Sequence, residues 1–125
     1  MPLISSLIGL CVDLSLINDG YYDQPEKNCF ILFILDTIKD NLESATSLAS
    51  QGSIHKSYSV FYGADNKSLY EYSMESIDLI NTYCVASIDR AIENINKYKY
   101  RFDPVDEKKL GKIVLELSEI QNSLK

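Results

Sequence analysis

Six carboxylates in two matching rows are the most ordered chemical feature of the sequence. Asp36, Asp40 and Glu43 stand at i, i+4 and i+7, and Glu71, Glu75 and Asp78 repeat that spacing. On a helix this step places three side chains on one face. Like charges so placed repel by a few tenths of a kcal/mol per pair, and a helix selected for stability alone would interleave lysines. Lys39 and Lys67 lie close enough to soften the rows. One reading is two solvated faces. The other is a negative surface that meets a basic partner, such as a nuclease groove shaped for phosphates, since complementary potentials speed association and suppress wrong partners.

Nine tyrosines among 125 residues add a second feature. Tyr58, Phe61, Tyr62, Tyr70 and Tyr72 cluster just before and within the second acidic row. Tyrosine is enriched at interfaces because its ring buries area while its hydroxyl finds a partner. Packing of a connecting segment against a helical body accounts for the same cluster. With the acids, Tyr70 and Tyr72 are the candidate contacts to a protein partner.

Catalytic groups are scarce. His55 is the only histidine, and Cys11, Cys29 and Cys84 are widely spaced with no C-x-x-C pair. Each thiol sits in an apolar stretch, where a free cysteine behaves as a small hydrophobe. All three are expected to be reduced core cysteines, which favours a cytosolic compartment. Cys84 with His55 is the one nucleophile pair worth testing. No H-E-x-x-H, Walker loop, G-x-G-x-x-G or G-x-S-x-G occurs, and one histidine cannot supply a paired Glu-x-x-His di-iron site. Neither Arg90 nor Arg101 is followed by the histidine of a helical-bundle ribonuclease signature. The expectation is no catalytic residue, metal or cofactor.

Lys97-Tyr-Lys-Tyr-Arg-Phe102 interleaves bases with aromatics, a pattern able to stack on nucleic-acid bases. It also falls where a helix C-terminus favours cations. The net charge of −6 decides for the helix end. The charge is uneven: residues 1–50 carry seven acids and two bases, and the remaining acids and bases nearly balance. Binding to phosphate backbones draws on Lys and Arg, so a nucleic-acid partner is not expected.

The elements that must position these residues read as helices. Leu3, Leu7, Leu10, Leu14 and Ile17 recur at helical steps, with Ile4, Ile8 and Cys11 widening the same stripe and Ser6 and Asp13 opposite. Gly9 weakens that helix by roughly 1 kcal/mol, unless it admits a neighbouring helix. Asn18-Asp19-Gly20 ends it. The stretch from Met1 to Val12 has no basic n-region or cleavage site, and Asp13 interrupts it well short of the roughly 20 residues of a membrane span.

Asp23-Gln-Pro-Glu26 reads as the start of a second helix running to about Ala49, with Ile31, Ile34, Ile38, Leu42, Ala45 and Leu48 on its apolar face. Breaks are expected at Gln51-Gly52 and Gly63-Ala-Asp-Asn66. Between them Ile54, Tyr58 and Tyr62 suit a short helix, although Ser57-Tyr-Ser-Val60 also suits a strand. A third helix, expected to be the longest, opens on the capping box Ser68-Leu-Tyr-Glu71 and carries Leu69, Ile77, Ile80, Cys84, Ile88, Ala91, Ile95 and Tyr98. Asp103-Pro104 starts a fourth with Leu110, Ile113, Leu117, Ile120 and Leu124.

The expected fold is all-α: residues 1–125 as one antiparallel bundle of four main helices, with a short fifth over 53–62. The expected function is that of a small acidic, cytoplasmic binding protein of bacterial or viral type, occluding a basic protein partner as a toxin-immunity protein or phage-encoded inhibitor would. A self-associating scaffold or secretion-chaperone-like protein, paired as a homodimer through the first or fourth helix, is the alternative. No membrane partner is expected.

Overall fold

The computed structural model describes residues 3–62 and 67–125. The expected break at 63–66 and the side chains of Tyr62 and Leu69 lie outside the described ones. Four helices make up the fold: α1 (Leu3–Asp19), α2 (Cys29–Tyr62), α3 (Lys67–Tyr98) and α4 (Pro104–Leu124). A single 3-10 turn, Lys99–Arg101, links the last two. Neighbours run antiparallel, as the cross-contacts of α2 with α3 show: Asn94 Nδ2 donates to Asn41 Oδ1 at 3.1 Å, and the Cys84 thiol donates to the Ala45 carbonyl at 3.5 Å.

The core is built mainly from the stripes that periodicity predicts, with Leu35 added to them and Ile31, Leu48, Ile120 and Leu124 only half-buried. Leu7, Leu10, Leu14 and Ile17 face Ile34, Ile38, Leu42 and Ala45, with Cys84, Ile88, Ala91, Ile95, Leu110, Ile113 and Leu117 completing it. Small residues on facing sides, Ala45 and Ala49 on α2 and Cys84, Ser87 and Ala91 on α3, are all buried. They let this pair pack closely.

Three boundaries differ from expectation. Asp23–Glu26 does not open α2. Asn28 donates its N–H to the Gln24 carbonyl at 3.0 Å and its side-chain amide to the Tyr21 carbonyl at 3.1 Å. These bonds make one isolated turn, and continuous helix begins at Cys29. More consequentially, α2 does not stop near Ala49. It continues through Gln51-Gly52 to Tyr62, absorbing the expected fifth helix, and at 34 residues it exceeds the 32 of α3. Gly52 is buried, and a Cβ there would lie 3.6 Å from the Ile80 side chain. Packing against α3 outweighs the roughly 1 kcal/mol that glycine costs a helix. At the start of α3, Ser68 is already helical, one residue after Lys67, so it does not stand ahead of the helix as a cap.

The first helix departs in its faces. Ile4 and Cys11 are half-buried as expected, but Ile8 is exposed, together with Val12 and Leu16. Gly9 admits no neighbour, since nothing lies within 4 Å of where its Cβ would stand.

Because α1 and α4 are short, they cover only part of the α2–α3 pair. The Ile8 end of α1 reaches Ser50 on α2, and Leu124 and Lys125 reach Asp78 and Thr82 on α3. The α1 helix runs five residues past Ile8 to Leu3, and beyond these ends, among the described residues, the pair continues alone as an arm of about 10–15 Å, at 1.5 Å per residue. The seam that leads into it runs from Gly52 and Ile80 at its base to Ile77 and Ser73, all buried.

At the opposite end Tyr21 ties the α1–α2 connection to α4. Its hydroxyl accepts the Asp103 N–H at 2.9 Å, and its ring meets Phe102 edge-on at 5.5 Å. Asp103 itself makes no side-chain cap, contrary to its reading, although Pro104 does open α4 as read. Burial first, then the carboxylates of Asp106 and Asp103, pushes the Tyr21 phenol up from 10.0 to about 12. Folding therefore favours the neutral phenol. Its contribution is complete below pH 10 and is lost as pH rises to 12. Melting temperatures recorded across that window are expected to fall more steeply for the wild type than for Tyr21→Phe.

Candidate protein-binding surface

The eight candidate contact residues are all solvent-exposed, but they do not form one surface. Asp36, Asp40 and Glu43 lie on the part of α2 that belongs to the four-helix body. Glu43 approaches Lys39 at 3.9 Å and lines a groove against α1. Glu71 and Glu75 lie on the arm, where Lys67 approaches Glu71 at 3.9 Å, and Asp78 stands at its base, level with the end of α4. The pairing of Asn41 with Asn94 and of Gly52 with Ile80 sets the register between the helices. In that register Asp40 and Glu75 are about 25 Å apart along the axis. Both lysines soften their rows, as their spacing suggests.

The arm row has a companion that sequence reading missed. Tyr72, Leu79 and Tyr83, at i, i+7 and i+11, are 67%, 57% and 57% exposed. That spacing aligns them along α3 beside Glu71, Glu75 and Asp78, from Tyr72 on the arm to Leu79 and Tyr83 level with the end of α4. An acidic row and an apolar, aromatic row thus run side by side for about 16 Å. The signal was present in the sequence: Leu79 and Tyr83 fall well off the Ile77–Ile80–Cys84–Ile88 stripe. Tyr70 is also exposed, but two residues from Tyr72 it projects from the other side of α3. On α2 the arm exposes Ile54, Tyr58, Val60 and Phe61.

The remaining chemistry-bearing residues are separated. Cys84 is buried, and burial pushes its thiol pKa up. His55 stands ten residues past Ala45, the residue Cys84 contacts, and touches Tyr58 edge-on. The Cys84–His55 pair is not brought together. Cys11 is half-buried, with its pKa raised by burial and then by Glu43. Cys29 is exposed, contrary to its reading as a core thiol, because it lies on the face of α2 opposite Ile38. Among the described residues no group of three His, Cys, Asp or Glu side chains could hold a metal ion.

The basic, aromatic segment at the end of α3 is engaged by its own protein. The Arg101 guanidinium lies 4.2 Å from the Phe30 ring centre, and Lys97 lies 5.3 Å from that of Tyr98. Among the described residues no helix is long and apolar enough to cross a membrane. No family model matches the chain, and neither a curated protein nor a solved structure matches it.

Proposed function

We propose that the chain is a small binding protein that occludes a basic protein partner with its projecting arm. The observation that carries this reading is the pairing of two rows on α3. Glu71, Glu75 and Asp78 supply negative charge, and Tyr72, Leu79 and Tyr83 supply exposed apolar and aromatic area beside it. Interfaces combine those parts: aromatic anchors carry most of the binding energy, and flanking charge sets the encounter rate and the choice of partner. A protein-binding arm needs no catalytic group, and an inhibitor of the toxin-immunity or phage-encoded kind acts in this way. The body row Asp36, Asp40 and Glu43 is a separate, secondary contact.

The test is affinity capture by the tagged chain from a lysate of its source cells, at low and high salt. The wild type is expected to retain one stoichiometric basic protein at low salt and to lose it at high salt. Glu75→Lys with Asp78→Lys should weaken retention several-fold and flatten the salt dependence, and Tyr72→Ala with Leu79→Ala should weaken it at all salt concentrations. Asp36→Lys with Asp40→Lys should do less. Equal retention by the wild type and both arm variants would remove the arm from the interface.

A further inference from the structure

We infer that the outward face of α1 pairs with the same face of a second copy of this chain, antiparallel about a two-fold axis at Val12. A surface helix ordinarily shows apolar residues on one side and polar ones on the other. The α1 helix does not. Leu7, Leu10, Leu14 and Ile17 are buried in the body, while Ile8, Val12 and Leu16, 50%, 53% and 65% exposed, line the side turned away from it. Along its 17 residues the only charges are Asp13 and Asp19.

The spacing of this outer row is self-complementary. Ile8 and Leu16 lie four residues on either side of Val12, so an antiparallel pair centred there sets Val12 on Val12 and each Ile8 on the second copy's Leu16. The flanking residues match in the same register. Gly9 comes level with the second copy's Ser15, which allows close approach, and the space beside Gly9 is open. Asp19 comes level with the second copy's Ser5, whose hydroxyl can donate to the carboxylate. The two Asp19 groups stand about 21 Å apart, more than twice the screening length of about 8 Å at physiological salt.

The net charge repels a like copy, but the face itself adds little to that repulsion. The molecule carries −6 overall, and the row Ile8–Val12–Leu16 contains none of it. On its α2 side the row borders Thr46, Ser47 and Ser50, with Thr46 donating to the Leu42 carbonyl and Glu43 close to Lys39. On its α4 side the row borders Asp13, whose two copies come level beside the axis as like charges, each next to Lys109 and Lys112 of its own α4. Six exposed side chains of on the order of 100 Å² each, with their polar rims, give an interface below about 1,200 Å². That size is at the weak, reversible end.

The experiment is sedimentation velocity on the full chain from about 1 to 200 µM. The wild type should shift from monomer to dimer over that range. Val12→Glu should stay monomeric, with its dissociation constant raised at least 30-fold, while its circular dichroism and dilute-solution melting match the wild type because Val12 is half exposed. High salt should strengthen the dimer by screening the net charge, whereas it weakens capture by the arm. Variants of the arm should leave dimerisation unchanged, so the two readings fail separately. With Cys11 and Cys29 replaced by alanine and serine, oxidised Val12→Cys should cross-link to itself. Ile8→Cys should not, because its two copies would stand about 12 Å apart. A chain monomeric to 200 µM, as it would be if a membrane or an unlike protein covered this face, overturns the inference. So does association unchanged by Val12→Glu, or faster cross-linking through Ile8→Cys.

Discussion

Leu42→Ala is expected to lower unfolding free energy by about 3–5 kcal/mol. Leu42 is fully buried in the middle of α2, inside the cluster that joins α2 to the other three helices. Removing its branched end loses the transfer free energy of the buried methyl groups and leaves a hollow. Rigid helices on every side can close that hollow only in part. Native stabilities of about 5–15 kcal/mol make this a large fraction of the total. Urea unfolding should show a lower midpoint with an unchanged slope, and thermal melting should fall by roughly 10–20 °C. A loss below 1 kcal/mol would mean that the core around Leu42 is far looser than its burial implies.

Ala45→Leu, one turn along the same face, tests the opposite fault and should cost about 1–3 kcal/mol. Ala45 is fully buried between α2 and α3, with the Cys84 thiol 3.5 Å from its carbonyl oxygen. Leucine is the better core residue by hydrophobicity and a good helix former, so composition alone predicts a neutral or stabilising change. The geometry predicts the reverse, because three further carbons have no space and α2 must move off α3. Amide hydrogen exchange should quicken along both helices near residues 41–49 and 84–91, where the pair separates. A stabilised protein would show that the small residues here are incidental.

The helical class and most of the core were legible because amphipathic periodicity is a physical consequence of burying one face. The stripes from Leu7 to Ile17, Ile77 to Ile95 and Leu110 to Leu117 are buried as read. Asp103 and Pro104 also mark the start of α4 as read. Local rules failed where a distant contact decides. Gly52 reads as a break until Ile80 is placed against it, and Asp23–Glu26 has good capping chemistry but supports only an isolated turn. The acidic rows were legible as rows but not as places, since their separation depends on the α2–α3 register. Leu79 and Tyr83 were passed over because an apolar residue off a buried stripe is read as incidental until its exposure is seen. On α1, Ile8 was merged into the buried stripe because both faces of that helix are apolar, and periodicity cannot say which one meets the body.

The arm has a further consequence, for the order in which the chain folds. Contacts near its end close the shortest loops, but they are poor in buried area: among the described residues, the buried ones on the inner seam beyond Ala49 are Gly52, Ser73, Ile77 and Ile80. Nearly doubling the separation, from that of Gly52 and Ile80 to the 53 residues between Asn41 and Asn94, adds only about 0.6 kcal/mol of closure entropy. Burying one core leucine returns about 1.5–3 kcal/mol. The transition state therefore gains more by gathering the body, around Leu42, Cys84 and Ile88, than by zipping from the nearest ends. Folding should nucleate there, with the arm joining afterwards and opening first when the protein unfolds.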